Sequence, residues 1–416
     1  MIRLNLLNFL LCLLVLQQFA FSQSNQDFQF LSKIGIEDSI YSKVLEESRQ
    51  FYIQLPEDYD REDTKKFPVV YILDGDVLLP TVSIVQDYYS GGFTPEMILV
   101  GISNAENRTR DLTTSKDEQP IRIQATTQNG EGENFVRFIQ EELIPIVENK
   151  YRATSYRTLI GHSYGGLFAM HVLIHYPDLF DNYIAIDPSL DWDNRQLLNE
   201  AKEILPFVDY SSKSLFMSLS GQLHMQKPEM TIANVMKDTT DFTSFSRANL
   251  AFSDLIKEHT DNGLQYEWKF YPRDLHGTIP FPSMMDGLIS VFEWFQMEDV
   301  HKFNDPESTT NELESLVQYR ASKLEEHFGY VVPPHPDYLL NILGYMSMDM
   351  EQMEKAKMFF EFVIEFYPDS ANAYDSMADY YERNGDFVSA LANVQKAYNI
   401  KQDVYYKERI EMLKKK

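Results

Sequence analysis

The stretch that leaves this chain fewest folds to choose from is "RTLIGHSYGGLFAMHVLIHYP", residues 157–177. An apolar run of strand character stops at Gly161, a serine stands at 163, and Gly165 and Gly166 open an apolar segment of helical length. A chain that passes from strand to helix in so few residues presses main chain against main chain. Side chains at the flanking positions would collide there. Glycines at 161 and 165 remove those side chains, and Gly166 lets the new helix approach the sheet. The turn exposes the Ser163 hydroxyl and aims a helix amino terminus at it, where backbone amides can hold a developing negative charge. The segment therefore demands a buried strand, a sheet around it and a helix laid on the sheet.

The rest of the first 300 residues agrees. Residues 38–55 read as two strands with a polar turn around Glu46 and Glu47. "FPVVYILDGD" (67–76) and "EMILVGIS" (96–103) are continuous apolar runs, as expected of strands buried on both faces. "LLPTVSIVQDYY" between them is long enough for a crossover helix. Residues 132–151 form an amphipathic helix with Phe135, Phe138, Ile139 and Leu143 on one face and Pro145 as a bend. Strands follow at "NYIAIDP", "SLFMSLSG" (214–221) and "LQYEWKFYP", with helices at "RANLAFSDLIKEHTDNG" and "MMDGLISVFEWFQ" (284–296). This alternation predicts an α/β fold with a mostly parallel central sheet and helices on both faces. Ligands on such sheets sit at the carboxyl ends of the strands.

The amino terminus, "MIRLNLLNFLLCLLVLQQFAFSQ", carries Arg3, an apolar run too short to span a bilayer and small residues before a cut after Ser22. It reads as a signal peptide over 1–22, implying a periplasmic or secreted protein without stable membrane anchoring. Cys12, the only cysteine, lies within it, so the mature chain has no thiol for a disulfide, a zinc site or a nucleophile. A formal charge of −26 repels phosphate backbones, which excludes nucleic acid as a partner.

A serine hydroxyl needs a base to take its proton. His276, in "RDLHGTIP" after the last strand, is the expected base, with Gly277 beside it permitting a close loop. The oxyanion donors are expected at the Tyr164 amide and at the amide of Gly75 or Asp76, in the "LDGD" loop. Arg108 and Arg110, in "NAENRTRD", are candidates to bind an anionic group of the substrate; ion pairs with Asp111 or Glu106 are the other reading. His162 is the variable residue beside the serine. His171 and His175 stand four apart on the elbow helix and could share a face; no third ligand is suggested, so they read as packing or surface residues. No metal or cofactor is expected.

"FPVVYILDGD", "ILVGISNAENRTRDLT", "LIGHSYGGLFAMHVLIHYPDLFDNYIAIDPSL" and "HGTIP" together resemble the esterase D-like family of α/β-hydrolases, most closely its siderophore (ferric enterobactin) esterase-like branch. The resemblance covers about residues 38–297 and places Ser163 and His276 on the family's nucleophile and base. It implies a serine esterase that cleaves siderophore, feruloyl, acetyl or other small acyl esters through an acyl-enzyme. The family often carries its acid just after the strand matching "SLFMSLSG", where this chain has Gln222 and His224. Three solutions stand open: Glu229 from the same loop, which comes first; Asp187 from the preceding strand end; or a serine–histidine dyad. Asp274 reads as a loop cap.

Beyond about residue 300 the pattern becomes all-helical. Residues 301–336 read as a linker and an extra helix. Residues 337–370 laid over 371–404 place Gly344 on Ala378, Ala356 on Ala390 and Phe360 on Val394, a period of 34 that resembles tetratricopeptide repeats. Residues 405–416 would be a helix end and a basic tail. The expected organisation is thus an esterase domain over 23–300 and two repeats over 337–404, the repeats offering a surface to a protein partner. The rival reading is a non-catalytic adaptor on a decayed hydrolase fold.

Overall fold

The computed structural model describes residues 35–60, 65–116, 128–224 and 226–416. The expected signal peptide lies outside the described residues. The chain divides into one unit ending at Gln296 and a second beginning at Met297.

The first unit is built on eight strands: β1 (Ile36–Ser42), β2 (Glu47–Gln54), β3 (Phe67–Ile72), β4 (Ile98–Ile102), β5 (Ala153–His162), β6 (Asn182–Ile186), β7 (Ser214–Ser220) and β8 (Gln265–Tyr271). Their order across the sheet is β1-β2-β4-β3-β5-β6-β7-β8. β1 and β2 form an antiparallel hairpin, and β2 pairs antiparallel with β4. Every later pairing is parallel. The fold is the α/β sheet that the alternation demands. β3, β4 and β6 are buried along their whole length, which explains their unbroken apolar sequences.

Helices cover both faces. On one face lie α1 (Gly75–Tyr89) and, late in the chain, α8 (Pro280–Val291). A Cβ at Gly287 would stand 2.8 Å from Ile184, so α8 sits directly on β6. On the other face, α5 (Tyr164–His175) packs on β5 and β6, flanked by α6 (Gln196–Ile204), the short α2 (Arg108–Leu112) and α7 (Ser244–Glu258). The expected single helix over 132–151 is three pieces: α3 (Gly132–Phe138), a π turn (Ile139–Leu143) and α4 (Ile144–Lys150). Pro145 has no N–H, and its ring crowds the carbonyl four residues back. The wider turn just before it relieves that crowding.

Parallel strands in one sheet put their carboxyl ends on one edge. Leu73 and Asp74, His162 and Ser163, Ile186 and Asp187, and Ser220 all emerge there, held in register by pairs such as Ile72 with Ile160 and His162 with Ile186. Ser163, Asp187 and Asp74, considered below, come from these strand ends.

The second unit is all-helical: α9 (Thr310–Phe328), α10 (Asp337–Asp349), α11 (Met353–Phe366), α12 (Ala371–Arg383), α13 (Phe387–Ile400) and α14 (Val404–Leu413). α9 opens with a capping box between Thr309 and Glu312. The starts of α10 and α12, and those of α11 and α13, fall 34 residues apart. At Gly344 a Cβ would stand 2.5 Å from the Phe360 ring, so this glycine is what lets α10 and α11 meet closely. Ala356, Phe360, Ala378, Ala390 and Val394 are fully buried at the helix contacts. Among the described residues no helix is long and apolar enough to cross a membrane.

Candidate active site

Ser163 occupies the turn between β5 and α5 with φ 60° and ψ −115°. A non-glycine residue in such a conformation costs on the order of 1–3 kcal/mol and persists only where its surroundings impose it. They do. The Ser163 amide donates to Ile186 O (3.0 Å), and its carbonyl accepts from the amides of Leu167 (2.9 Å) and Ser189 (3.0 Å). A Cβ at Gly161 would stand 2.1 Å from the Gly165 carbonyl oxygen, and one at Gly166 would stand 2.9 Å from Pro188 Cα. Those two glycines are sterically obligatory. Gly165 is different: a Cβ there would meet Leu73 at an ordinary 3.5 Å. Its main chain, rather than its missing side chain, is what the turn must accommodate.

The imidazole of His276 is brought up from the loop after β8. Its Nδ1 lies 2.6 Å from Asp187 Oδ2. A carboxylate only accepts, so Nδ1 carries a proton, and the tautomer this contact selects in the neutral imidazole has its lone pair on Nε2. Asp187 is fully buried at the end of β6, in a left-handed backbone conformation (φ 43°). Its amide donates to Ser218 O, and its other oxygen, Oδ1, accepts from the Ser220 amide at 2.9 Å. Both oxygens are thus used, one to fix the carboxylate to β7 and one to orient the imidazole. The carboxylate expected first from the sequence, Glu229, is exposed, and the structure brings it into no contact with His276. The correction has a simple cause. A left-handed residue directly after β6 turns its side chain across the end of β7 towards β8. Glu229 belongs to a surface excursion after β7 that is organised by its own Asn234 contacts.

The residue standing where the acid was sought, Gln222, accepts from the His276 main-chain amide through Oε1 at 3.1 Å. The Gly221 amide donates to Asp274 O, and a Cβ at Gly221 would stand 2.4 Å from Pro272 O, so the ends of β7 and β8 are clamped together. His162 Nε2 donates to the His276 carbonyl (2.9 Å), and the two rings lie 4.6 Å apart. Phe245 packs edge-on against the His276 ring from the other side at 5.4 Å. Burial first, and then the neighbouring His276, holds the His162 imidazole down to about 4, so it is neutral at neutral pH. A Cβ at Gly277 would meet open space. The close loop expected of that glycine is supplied instead by Gly221, Gln222 and His162. Asp274 accepts from the Thr278 hydroxyl, a loop cap.

The imidazole is therefore fixed against the residue preceding the serine. The Ser163 hydroxyl lies 3.3 Å from Ser189 Oγ. Ser189 and Gln222 carry no sequence signature; only their position at neighbouring strand ends marks them.

Facing the serine, Asp74 (φ 51°) precedes the first turn of α1. Its carboxylate does not cap the helix. It is held by Arg108 through two bonds, Nε to Oδ1 at 2.8 Å and Nη2 to Oδ2 at 2.9 Å. Among the described residues, the amides of Gly75 and Asp76 have no acceptor. Gly75 is pressed on β4, where a Cβ would stand 2.3 Å from Gly101. Tyr164, the first residue of α5, has its ring between the Arg108 guanidinium (5.4 Å) and Trp192 (5.3 Å). Two helix amino termini, those of α1 and α5, thus converge beside Ser163.

Arg108 also donates to His162 O (3.2 Å) and is one-third exposed at the site. Arg110, the other candidate for an anionic substrate group, is committed elsewhere. It binds both oxygens of Glu47 and Asp111 Oδ1 and is largely buried. Arg110 holds the Glu47 carboxyl down to about 2. Asp111 is a partner the sequence suggests; Glu47, from the distant hairpin, is not.

Residues 42–236 match the family described as "Putative esterase". Among curated proteins, the chain is 30% identical over 185 residues to the ferri-bacillibactin esterase BesA of Bacillus subtilis, a match covering 40% of this chain and 62% of that protein. It is 29% identical over 248 residues to a siderophore enterobactin esterase of Emericella nidulans, covering 54% of this chain and 82% of the relative. Among solved structures, an IroE-like serine hydrolase from Shewanella oneidensis superposes with a TM-score of 0.65 at 27% identity, over 80% of this chain and 99% of the other.

Proposed function

We propose, from the premise that residues 42–236 belong to this esterase family, that the chain is a serine esterase that cleaves carboxylic esters through an acyl-enzyme. One observation carries the reading: a buried carboxylate, Asp187, holds the Nδ1 side of His276 at 2.6 Å, beside a serine kept in a forced turn. Ser163 is the nucleophile, His276 the base and Asp187 the orienting acid.

In the first half-reaction His276 Nε2 takes the Ser163 proton while Oγ attacks the ester carbonyl carbon. The resulting oxyanion is held by the Tyr164 amide and by the amide of Gly75 or Asp76. Collapse breaks the ester C–O bond, and the imidazolium gives its proton to the departing alkoxide. Water, activated by the same imidazole, then releases the acid and restores the serine. The Ser163 hydroxyl, which meets Ser189 Oγ at 3.3 Å, turns to His276 Nε2 as the attack begins. The contact between Asp187 and His276 supports this reading over a decayed hydrolase.

The substrate class best supported is a siderophore-type ester, because one curated relative above is named a siderophore enterobactin esterase and the other a ferri-bacillibactin esterase. The leader-like first 22 residues support export to the periplasm or medium. The 34-residue periodicity of the second unit supports tetratricopeptide-like hairpins that offer a surface to a protein partner. A panel of purified esters (short acyl, feruloyl and catecholate siderophore lactone) assayed against wild type and Ser163→Ala tests the reading. Turnover should fall by about 10⁶-fold in the variant, and fluorophosphonate should label the wild type at Ser163. Unchanged hydrolysis in a folded Ser163→Ala protein would refute it.

A further inference from the structure

Helix α5 carries a second cluster at its far end. His171 and His175, one turn apart, are joined there by Glu200 from α6, and one ligand atom from each lies within 4.8 Å of the others. We infer that His171, His175 and Glu200 form a binding site for a divalent transition-metal ion of the zinc class, separate from the esterase centre.

Three observations carry this. First, the donor set is two imidazoles and one carboxylate, which suits zinc, cobalt(II) or nickel(II) and not the oxygen-seeking magnesium or calcium. Second, His171 is 7% exposed, and neither of its ring nitrogens has a hydrogen-bond partner. A buried imidazole whose nitrogens make no hydrogen bond is costly, and an ion shared with its neighbours would satisfy one of them. Third, the surrounding residues hold the ligands. Gln196 donates to Glu200 Oε1 at 2.7 Å, leaving Oε2 towards His175 Nε2 at 2.9 Å. The two imidazole rings stand 4.6 Å apart. Glu133 of α3, whose carboxylate accepts from the Tyr176 hydroxyl, places Oε2 3.6 Å from His171 Nε2 and is positioned to supply a fourth ligand.

Tetrahedral zinc with bonds of about 2.0–2.1 Å keeps its ligand atoms roughly 3.3 Å apart. Small side-chain rotations close the present spacing. With a rise of about 1.5 Å per residue, His171 lies about 12 Å along α5 from Ser163, too far for the ion to touch the reacting serine. The ion's role is to tie α5 to α6.

The test uses the tag-free full chain, stripped with chelator and titrated with zinc by calorimetry. One ion per chain should bind, and zinc at about 100-fold its Kd should raise Tm by about 5–10 °C, with magnesium inert. Cobalt(II) should give the intense visible absorption of a tetrahedral site. His175→Gln and Glu200→Gln should each weaken zinc binding at least tenfold while leaving p-nitrophenyl acetate turnover intact at 25 °C. Zinc binding equal in wild type and in the double variant, or no zinc uptake by a wild type of native circular dichroism, would overturn the site. The cobalt spectrum of the wild type decides the matter even if a variant fails to fold.

Discussion

Replacing Asp187 by Asn tests the catalytic geometry most directly. The carboxylate makes two obligatory contacts, accepting from the Ser220 amide through Oδ1 and from His276 Nδ1 through Oδ2. An amide of the same shape has one acceptor and one donor. If its oxygen keeps the Ser220 bond, its NH₂ faces Nδ1 and favours the imidazole tautomer protonated on Nε2, which cannot take the serine proton. If it flips, NH₂ meets the Ser220 N–H in a fully buried place, which costs about 1–3 kcal/mol for the unpaired groups. The same change in a well-studied serine protease, a worked case in protein chemistry, lowers kcat about 10⁴-fold. With each tenfold worth about 1.36 kcal/mol, that is a loss of roughly 5 kcal/mol of transition-state stabilisation. The expectation here is a fall of about 10³–10⁴ in kcat for p-nitrophenyl acetate, with circular dichroism unchanged and Tm lowered by only a few degrees. The companion Glu229→Gln should stay within about twofold of wild type, as exposed substitutions usually do. Asp187→Asn activity within tenfold of wild type, or a large loss in Glu229→Gln, would refute the assignment and point to a dyad or to a mobile acid.

Three other outcomes are expected. Gly161→Ala forces a methyl against the Gly165 carbonyl at 2.1 Å; it should cost about 3 kcal/mol or more in urea unfolding, and Gly277→Ala, facing open space, should be nearly silent. Arg108→Ala frees the Asp74 carboxylate beside the Gly75 and Asp76 amides. If Arg108 acts by positioning, kcat falls about tenfold for neutral and anionic esters alike, and a rise in KM confined to anionic esters would instead assign it to substrate. His162 is held down to about 4 in the fold against an ordinary 6.5, so below 6.5 the unfolded chain takes a proton that the folded chain refuses. Its contribution is complete above 6.5 and is lost as pH falls from 6.5 to 4; His162→Gln should make stability less pH-dependent across that window, and an unchanged slope in denaturant melts would count against the buried neutral imidazole.

The legible parts of the site were those made by neighbours in the chain. Ser163 and its glycines form one continuous turn, and His276 follows the last strand of an alternating pattern, so both could be located from spacing and periodicity. Arg108 was singled out, yet its partner proved to be Asp74 rather than Glu106 or Asp111, because the loops after β3 and β4 lie side by side at the sheet edge. Gly277 was credited with a freedom the loop does not use. Ser189 passed unnoticed, and Gln222 was marked only as a residue in the acid's usual place, not as the acceptor of the His276 amide, because a serine or glutamine after a strand is ordinary until another strand end is placed beside it.

The strand–helix alternation, the forced turn at Ser163 and the change to a 34-residue helical period are properties of the sequence itself, since each arises from interactions within a few turns or strands of one another. The pairing of His276 with Asp187 and the grouping of His171 and His175 with Glu200 belong to the tertiary structure alone. Candidate carboxylates at 187 and 229 are chemically equal in a sequence. Strand order, and the left-handed backbone at Asp187 that turns its side chain towards His276, are what separate them.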